Sequence, residues 1–198
     1  MELLIIRHGQ SEADLLCVHE GRADFPLTKL GEQQARDMAA YVTEHLPPDI
    51  ILASPLLRAK STAETLQKSV GCDLLLEDDL MEFNNGVLAG LSREEALIKY
   101  PLPPDGRPIH VPIEKGESEL ELRFRAEVIF NKIILDYQSY NRVAIISHGG
   151  LISQFIKAFL QQPNTSEYIF ATGDTGMHLL EIKENARVIR FINKQEHL

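Results

Sequence analysis

LLIIRHGQSEAD, residues 3–14, decides the reading of this chain: four apolar residues run without a break into Arg7, His8 and Gly9. A short apolar run bounded by glycine reads as a buried strand, and this one ends on two side chains able to carry positive charge. The pattern returns in AIISHGG, residues 144–150, where a second apolar run ends in His148 and Gly149. In a parallel α/β sheet, ligands gather beyond the carboxyl ends of the strands, so both histidines are expected at one such edge. Gly9 and Gly149 let the backbone turn sharply there. Gly150 opens a helix whose first N–H groups are free donors for an anion. One histidine after a strand is an ordinary structural residue. Two that echo each other, one preceded by arginine, point to a shared site around one phosphate.

Working outward, strand-like runs lie at 3–6, 50–52, 74–76, 143–146, 177–182 and 188–192. Helical stripes lie between most of them. Ala35, Met38, Ala39, Val42 and Leu46 share a face after Thr28, a suitable N-cap, and Pro47 with Pro48 ends that helix. Ala59, Ala63, Leu66 and Val70 form a second stripe closed by Gly71. Leu122, Ala126, Ile129, Ile133 and Tyr137 form a third, and Leu151, Ile152, Phe155, Ile156 and Phe159 a fourth. This alternation predicts a layered α/β domain with a largely parallel sheet. Residues 100–116 carry five prolines and Gly106, which predicts a structured loop or lid. No repeat or linker divides the chain, so 1–198 reads as one domain.

At 198 residues the chain can bury roughly 70% of its unfolded surface without staples. It has no apolar run of 18 residues and no basic-then-apolar leader, so neither a membrane span nor a signal peptide is expected. Cys17 and Cys72 fit no metal or redox spacing, and reduced thiols in the cytoplasm are the expectation. The net charge of −9, without a basic stripe, argues against nucleic acid as a partner. An anionic ligand must then be held by local arginines against the global field.

SPLLRAKSTAE, residues 54–64, supplies one: it starts a helix with Pro55 in the first turn and places Arg58 at the same sheet edge as Arg7. Arginine presents a planar fork that fits phosphate oxygens two at a time. In LMEFNNGVLAGL, residues 80–91, Glu82 is bracketed by Leu80, Met81 and Phe83. An apolar setting favours the neutral acid, which a phosphate dianion would favour further, and such an acid can donate to a leaving alcohol.

Together these blocks resemble the histidine phosphatase superfamily, the phosphoglycerate-mutase-like proteins. The resemblance runs over nearly the whole chain: RHGQS at 7–11, GRADFPLTKLGEQQA at 21–35, SPLLRA at 54–59, LMEFNNGVLAG at 80–90, GES at 116–118 and SHGG at 147–150. It implies a three-layer sandwich with a largely parallel central sheet flanked by helices. It implies that His8 is the nucleophile, and that Arg7, Arg58 and a cationic His148 hold the non-bridging oxygens. Glu82 is then the acid that protonates the leaving oxygen, and neither a metal nor another cofactor is called for. Positioning and charge stabilisation are what phosphoryl transfer chiefly requires.

The chain departs from the family pattern at two charged positions, and TGDTGMHLLEI, residues 172–182, which resembles the family's last core strand, lacks a clear match to an Asn often found just before it. Asp14 stands where Asn is usual, and Glu20 where Gln is usual. A carboxylate about 4 Å from a phosphate charge costs roughly 4 kcal/mol at an effective dielectric of 20. Asp14 is therefore expected to pair with a cation such as Arg22, turn away, or stay protonated. With Gly21, Arg22 and His110, the two acids form the expected substrate rim. The short segment between Gly90 and Gly116 has few basic residues, so water reaches the site and phosphatase is favoured over phosphoglycerate mutase. A non-catalytic phospho-ligand binder and a metal-dependent hydrolase built on His8, His148 and Glu82 are the other readings. The expected partner is a small phosphorylated metabolite; the oligomeric state stays open, with a dimer one option. His19 and His45 read as surface residues, His178 as a strand residue and His197 as tail. Ser11 reads as a loop support, and Ser147 as the side chain that orients His148.

Overall fold

The computed structural model describes residues 1–164 and 167–198. Its centre is β1 (Glu2–Arg7), in which Leu3 to Ile6 are fully buried. β1 lies between the parallel β4 (Arg142–Ser147) and the antiparallel β5 (Met177–Lys183). Beyond β4 come β2 (Ile50–Ala53) and then β3 (Asp73–Leu76), both parallel; beyond β5 comes the antiparallel β6 (Ala186–Lys194). The order is β3-β2-β4-β1-β5-β6. Each expected strand forms, lengthened by one to four residues.

Strand side chains alternate between faces, and the central strands are apolar at both. Leu3, Ile5, Leu52, Val143 and Ile145 pack on one side with α5 (Glu119–Asp136) and α6 (Gly149–Phe159). Leu4, Ile6, Ile51, Ala144 and Ile146 pack on the other with α2 (Lys29–His45) and α3 (Leu57–Val70). Three layers result, as expected. The signals that delimit these helices work as read: Thr28 Oγ1 accepts the Gly31 N–H at 3.0 Å, and Gly71 closes α3 in the left-handed conformation at φ 83°. Pro55 is a correction. It sits two residues ahead of α3, outside the first turn, because the chain leaves β2 through Ser54 and reaches its cap only at Leu56.

Two short helices, α1 (Glu12–Leu16) and α4 (Arg93–Lys99), escape the stripe reading because each is too short to show a period. Residues 101–116 hold neither helix nor strand; they are mostly exposed, with Ile113 buried beside Leu88 and Ala96. Among the described residues, no helix is long and apolar enough to cross a membrane.

Candidate functional site

Sheet register brings the two histidines together. Arg7 pairs with Ser147 across β1 and β4, so the next residue of each strand, His8 and His148, continues the match. Their rings stand 5.0 Å apart between centroids and both are buried. One strand over, Ala53 pairs with Ile146, so Ser54 follows level with Ser147, and its Oγ reaches on to lie 2.8 Å from His148 Nε2. Ser54, not Ser147, thus orients that imidazole. Ser147 Oγ instead donates to the Leu80 carbonyl at 2.8 Å, tying β4 to the segment that carries Glu82.

The state of His8 follows from its neighbours. Nδ1 lies 2.7 Å from the Gly9 carbonyl, which can only accept, so Nδ1 carries the proton and Nε2 presents a lone pair. Burial, and then the charges of Arg58 and Arg7, hold His8 well below the usual imidazole range. His148 is likewise held far down by burial, Arg58, His8 and Arg7. The expectation of a cationic His148 is therefore corrected for the free site: it has cations around it and no acid against it. Its Nδ1 is buried without a hydrogen-bond partner.

Arg58, the second residue of α3, is fully buried. Nη2 and Nη1 donate to the carbonyls of Gly21 at 2.8 Å and Ala23 at 3.1 Å, which fix the guanidinium. Nε faces His8 Nε2 at 3.3 Å and Glu20 Oε1 at 3.1 Å. Gly21 adopts φ +50°, and a Cβ there would strike the Asn85 side chain at 2.7–2.9 Å, so the carbonyl reaches Arg58 only from a glycine. Arg7 donates from Nη1 to the Thr172 carbonyl at 2.8 Å, and its Nε is buried without a partner.

Glu82 stands at the head of α6. Its Oε1 accepts from Phe83 N at 2.8 Å and Leu151 N at 3.1 Å, and Oε2 accepts from Gly150 N at 2.9 Å. The apolar setting expected from its neighbours is thereby corrected: Leu80 is buried in the core, while the carboxylate itself meets three backbone donors and the positive end of a helix. A Cβ on Gly150 would lie 2.5 Å from Glu82 Oε1. Gly150→Ala is expected to push the carboxylate off the helix end and lower turnover of alkyl phosphates about tenfold or more, with a smaller loss on aryl phosphates. Parallel kinetics on the two substrate types check this.

The rim is only partly as expected. Asp14 Oδ2 accepts from Ser11 N at 2.8 Å and Ser11 Oγ at 3.1 Å, and Oδ1 faces Arg7 Nη2 at 3.6 Å. Its cation is Arg7, not Arg22, because its place in the first turn of α1 points it back at the end of β1. Arg22 instead donates to the Glu82 carbonyl at 3.4 Å and lies 4.0 Å from Glu117. His110 is not brought to His8; it is exposed and lines a separate cavity of about 460 Å³ with Ser118, Phe124 and Glu127.

Three contributors escape the sequence reading. Asp174 stands 3.4 Å from Arg7 Nη2. β5 runs antiparallel to β1, so the residues ahead of β5 arrive at the same edge as the carboxyl ends of β1 and β4, and that topology was the missing signal. Ser54 follows β2 as His8 follows β1. Arg125, set among the apolar residues of α5, donates to the carbonyls of Asp79, Met81 and Glu82 and pairs with Glu117 at 2.6 Å. That arginine holds the Glu82 segment in place. Among the described residues, no group of three or more His, Cys, Asp or Glu side chains could hold a metal ion; His8, His148 and Glu82 do not form one.

A fold with two histidines and two arginines at the carboxyl edge of a parallel sheet defines a class, and comparison with known proteins agrees. The chain belongs to the histidine phosphatase superfamily (branch 1), whose family model matches residues 3–195. A protein named probable phosphoglycerate mutase GpmB, from Escherichia fergusonii, is 33% identical over 175 residues, covering 84% of this chain and 78% of that one. The α-ribazole phosphatase of Shigella flexneri shares the fold at a TM-score of 0.86 and 24% identity, covering 98% of this chain and 97% of its own. A phosphoserine phosphatase variant of Entamoeba histolytica, solved with phosphoserine, superposes at 0.79 with 25% identity, covering 100% and 98%.

Proposed function

We propose that this chain hydrolyses a small phosphate monoester through a phosphohistidine on His8, in a reaction that uses neither metal nor cofactor. One observation carries the reading: a buried, neutral His8 with its lone pair on Nε2, facing the Nε of a fully buried arginine. His8 Nε2 attacks phosphorus as the bond to the ester oxygen breaks, and Glu82 gives that oxygen its proton. Of the Glu82 oxygens, Oε2 has one backbone donor and Oε1 two, so Oε2 keeps the freer lone pair for exchanging a proton with the ester oxygen. Water then attacks phosphorus, the Nε2–P bond breaks, and Glu82 takes the proton back. Arg58, Arg7 Nε and His148 Nδ1 serve the non-bridging oxygens. The last two are buried and unpartnered without a ligand, and an incoming anion favours protonation of His148.

The name carried by the relative from Escherichia fergusonii favours a second reading, a phosphoglycerate mutase. The residues between Gly90 and Gly116 speak for hydrolysis: Lys99 is exposed and turned to Glu95 at 3.9 Å, and Lys115 is exposed. Residues 100–116 act as the lid of one domain spanning 1–198, and the protein works in the cytoplasm. The test is hydrolysis of p-nitrophenyl phosphate with EDTA present, followed by a panel of metabolite phosphates. Activity unchanged by EDTA, with inorganic phosphate released and no transfer to 3-phosphoglycerate, is the expected result. Loss of activity in EDTA, or transfer in preference to release, overturns the reading.

A further inference from the structure

Glu20 stands against both His8 and Arg58. One oxygen lies 3.1 Å from Arg58 Nε and the other 3.9 Å from His8 Nε2, so it spans the two groups between which a phosphoryl group has to sit. We propose that Glu20 is the resident occupant of the anion site, and that an oxyanion binds only when one proton is held between Glu20 and the ligand. The inference rests on the phosphate-site reading above and adds a ligand class: oxyanions that bring a proton, such as a monoester monoanion, in preference to full dianions.

The geometry favours that shared proton over a wider rearrangement. Arg58 cannot follow a departing Glu20, because its two terminal nitrogens are clamped on the carbonyls of Gly21 and Ala23. Those same contacts pin the backbone of the loop that bears Glu20, so only the side chain can swing. An ionised Glu20 beside a bound dianion sets like charges a few ångströms apart in a buried site. A protonated Glu20 releases Arg58 and becomes a donor for the ligand. A phosphoryl O–H pointing at an ionised Glu20 reaches the same result from the other partner.

The groups facing Glu20 set where it titrates. They are Arg58 from α3, His8 and Arg7 from the end of β1, the Ser11 hydroxyl at the head of α1, and Asp14 within α1. Burial pushes the Glu20 carboxyl up, Arg58 and then Ser11 oppose it, and Asp14 adds to the rise. The direction places proton uptake nearer neutrality than for an exposed glutamate. Binding of a proton-free anion therefore strengthens as pH falls.

The probe is sulfate, which stays a dianion from pH 5.5 to 8, titrated calorimetrically in two buffers of different ionisation enthalpy. The native protein is expected to take up about one more proton per sulfate than Glu20→Gln at pH 7. Glu20→Gln is expected to bind sulfate about tenfold more tightly than the native protein at pH 7.5, and to flatten the rise in affinity towards acid. Glu20→Thr, smaller and equally neutral, repeats the comparison should the glutamine variant fold poorly. If both neutral variants match the native protein in affinity and proton uptake, Glu20 is not the occupant, while the anion site itself stands. If no form binds sulfate at any of these pH values, the anion site falls and this inference with it.

Discussion

His8→Ala is expected to abolish turnover, with a loss of about 10⁴-fold or more on every phosphate monoester the native protein accepts. The size of the effect comes from what the side chain supplies. Nε2 carries the lone pair that faces Arg58 Nε, and its orientation is locked by the Nδ1–H bond to the Gly9 carbonyl. Ser54 and Ser147 are committed to His148 and Leu80, so neither hydroxyl is placed to replace it. The same variant is expected to lose the acid-labile, base-stable phosphoenzyme that a brief quench with labelled substrate traps in the native protein. Turnover within tenfold of native in a variant with an unchanged melting curve would remove His8 from the mechanism.

Glu82→Gln carries the second large effect, and it discriminates between substrates. Alkyl phosphates, whose leaving oxygen needs a proton, are expected to slow by about 10²–10⁴-fold, while p-nitrophenyl phosphate slows far less. A plot of log kcat against leaving-group pKa is nearly flat for the native protein and falls steeply for the variant. Equal slowing of both substrate types would assign Glu82 a role other than proton donor. The substitution has a structural cost too. Its NH₂ group must face a backbone N–H where an oxygen now accepts, and the negative charge at the head of α6 is lost. Together these cost about 1–2 kcal/mol of stability. A melting curve separates that loss from the catalytic one, since the structural loss falls equally on both substrate types.

What the sequence revealed divides along physical lines. The central strands are apolar on both faces, so their runs stand out, and the repeated His-Gly ending marks which edge they share. Helices of eleven to eighteen residues show their stripes. α1 and α4, at five and seven residues, do not. That Arg7, His8 and His148 meet at one edge was legible because each stands at a strand end, where topology links strand and edge. Arg125 and Asp174 were not, because their relevance arises from tertiary contact: one reaches three carbonyls from a neighbouring helix, the other arrives by an antiparallel strand. Asp14 shows the same limit in reverse. Its charge invited a partner from the rim, yet the short helix in whose first turn it lies, invisible as a pattern, turned it towards Arg7.

The position of β1 has a consequence for how the chain becomes active during synthesis. β1 ends at Arg7, yet its two neighbours begin at Arg142 and Met177. A ribosome therefore exposes this apolar segment long before either partner strand has emerged. Contacts this far apart slow folding, because the loop between them must be closed before any pairing rewards it. Meanwhile α2, β2 and α3 follow one another closely and can associate early. His8 gains its companion histidine only when β4 docks beside β1, so a chain halted before that point carries His8 without a site around it. Assembly of the histidine pair and completion of the sheet are thus one event.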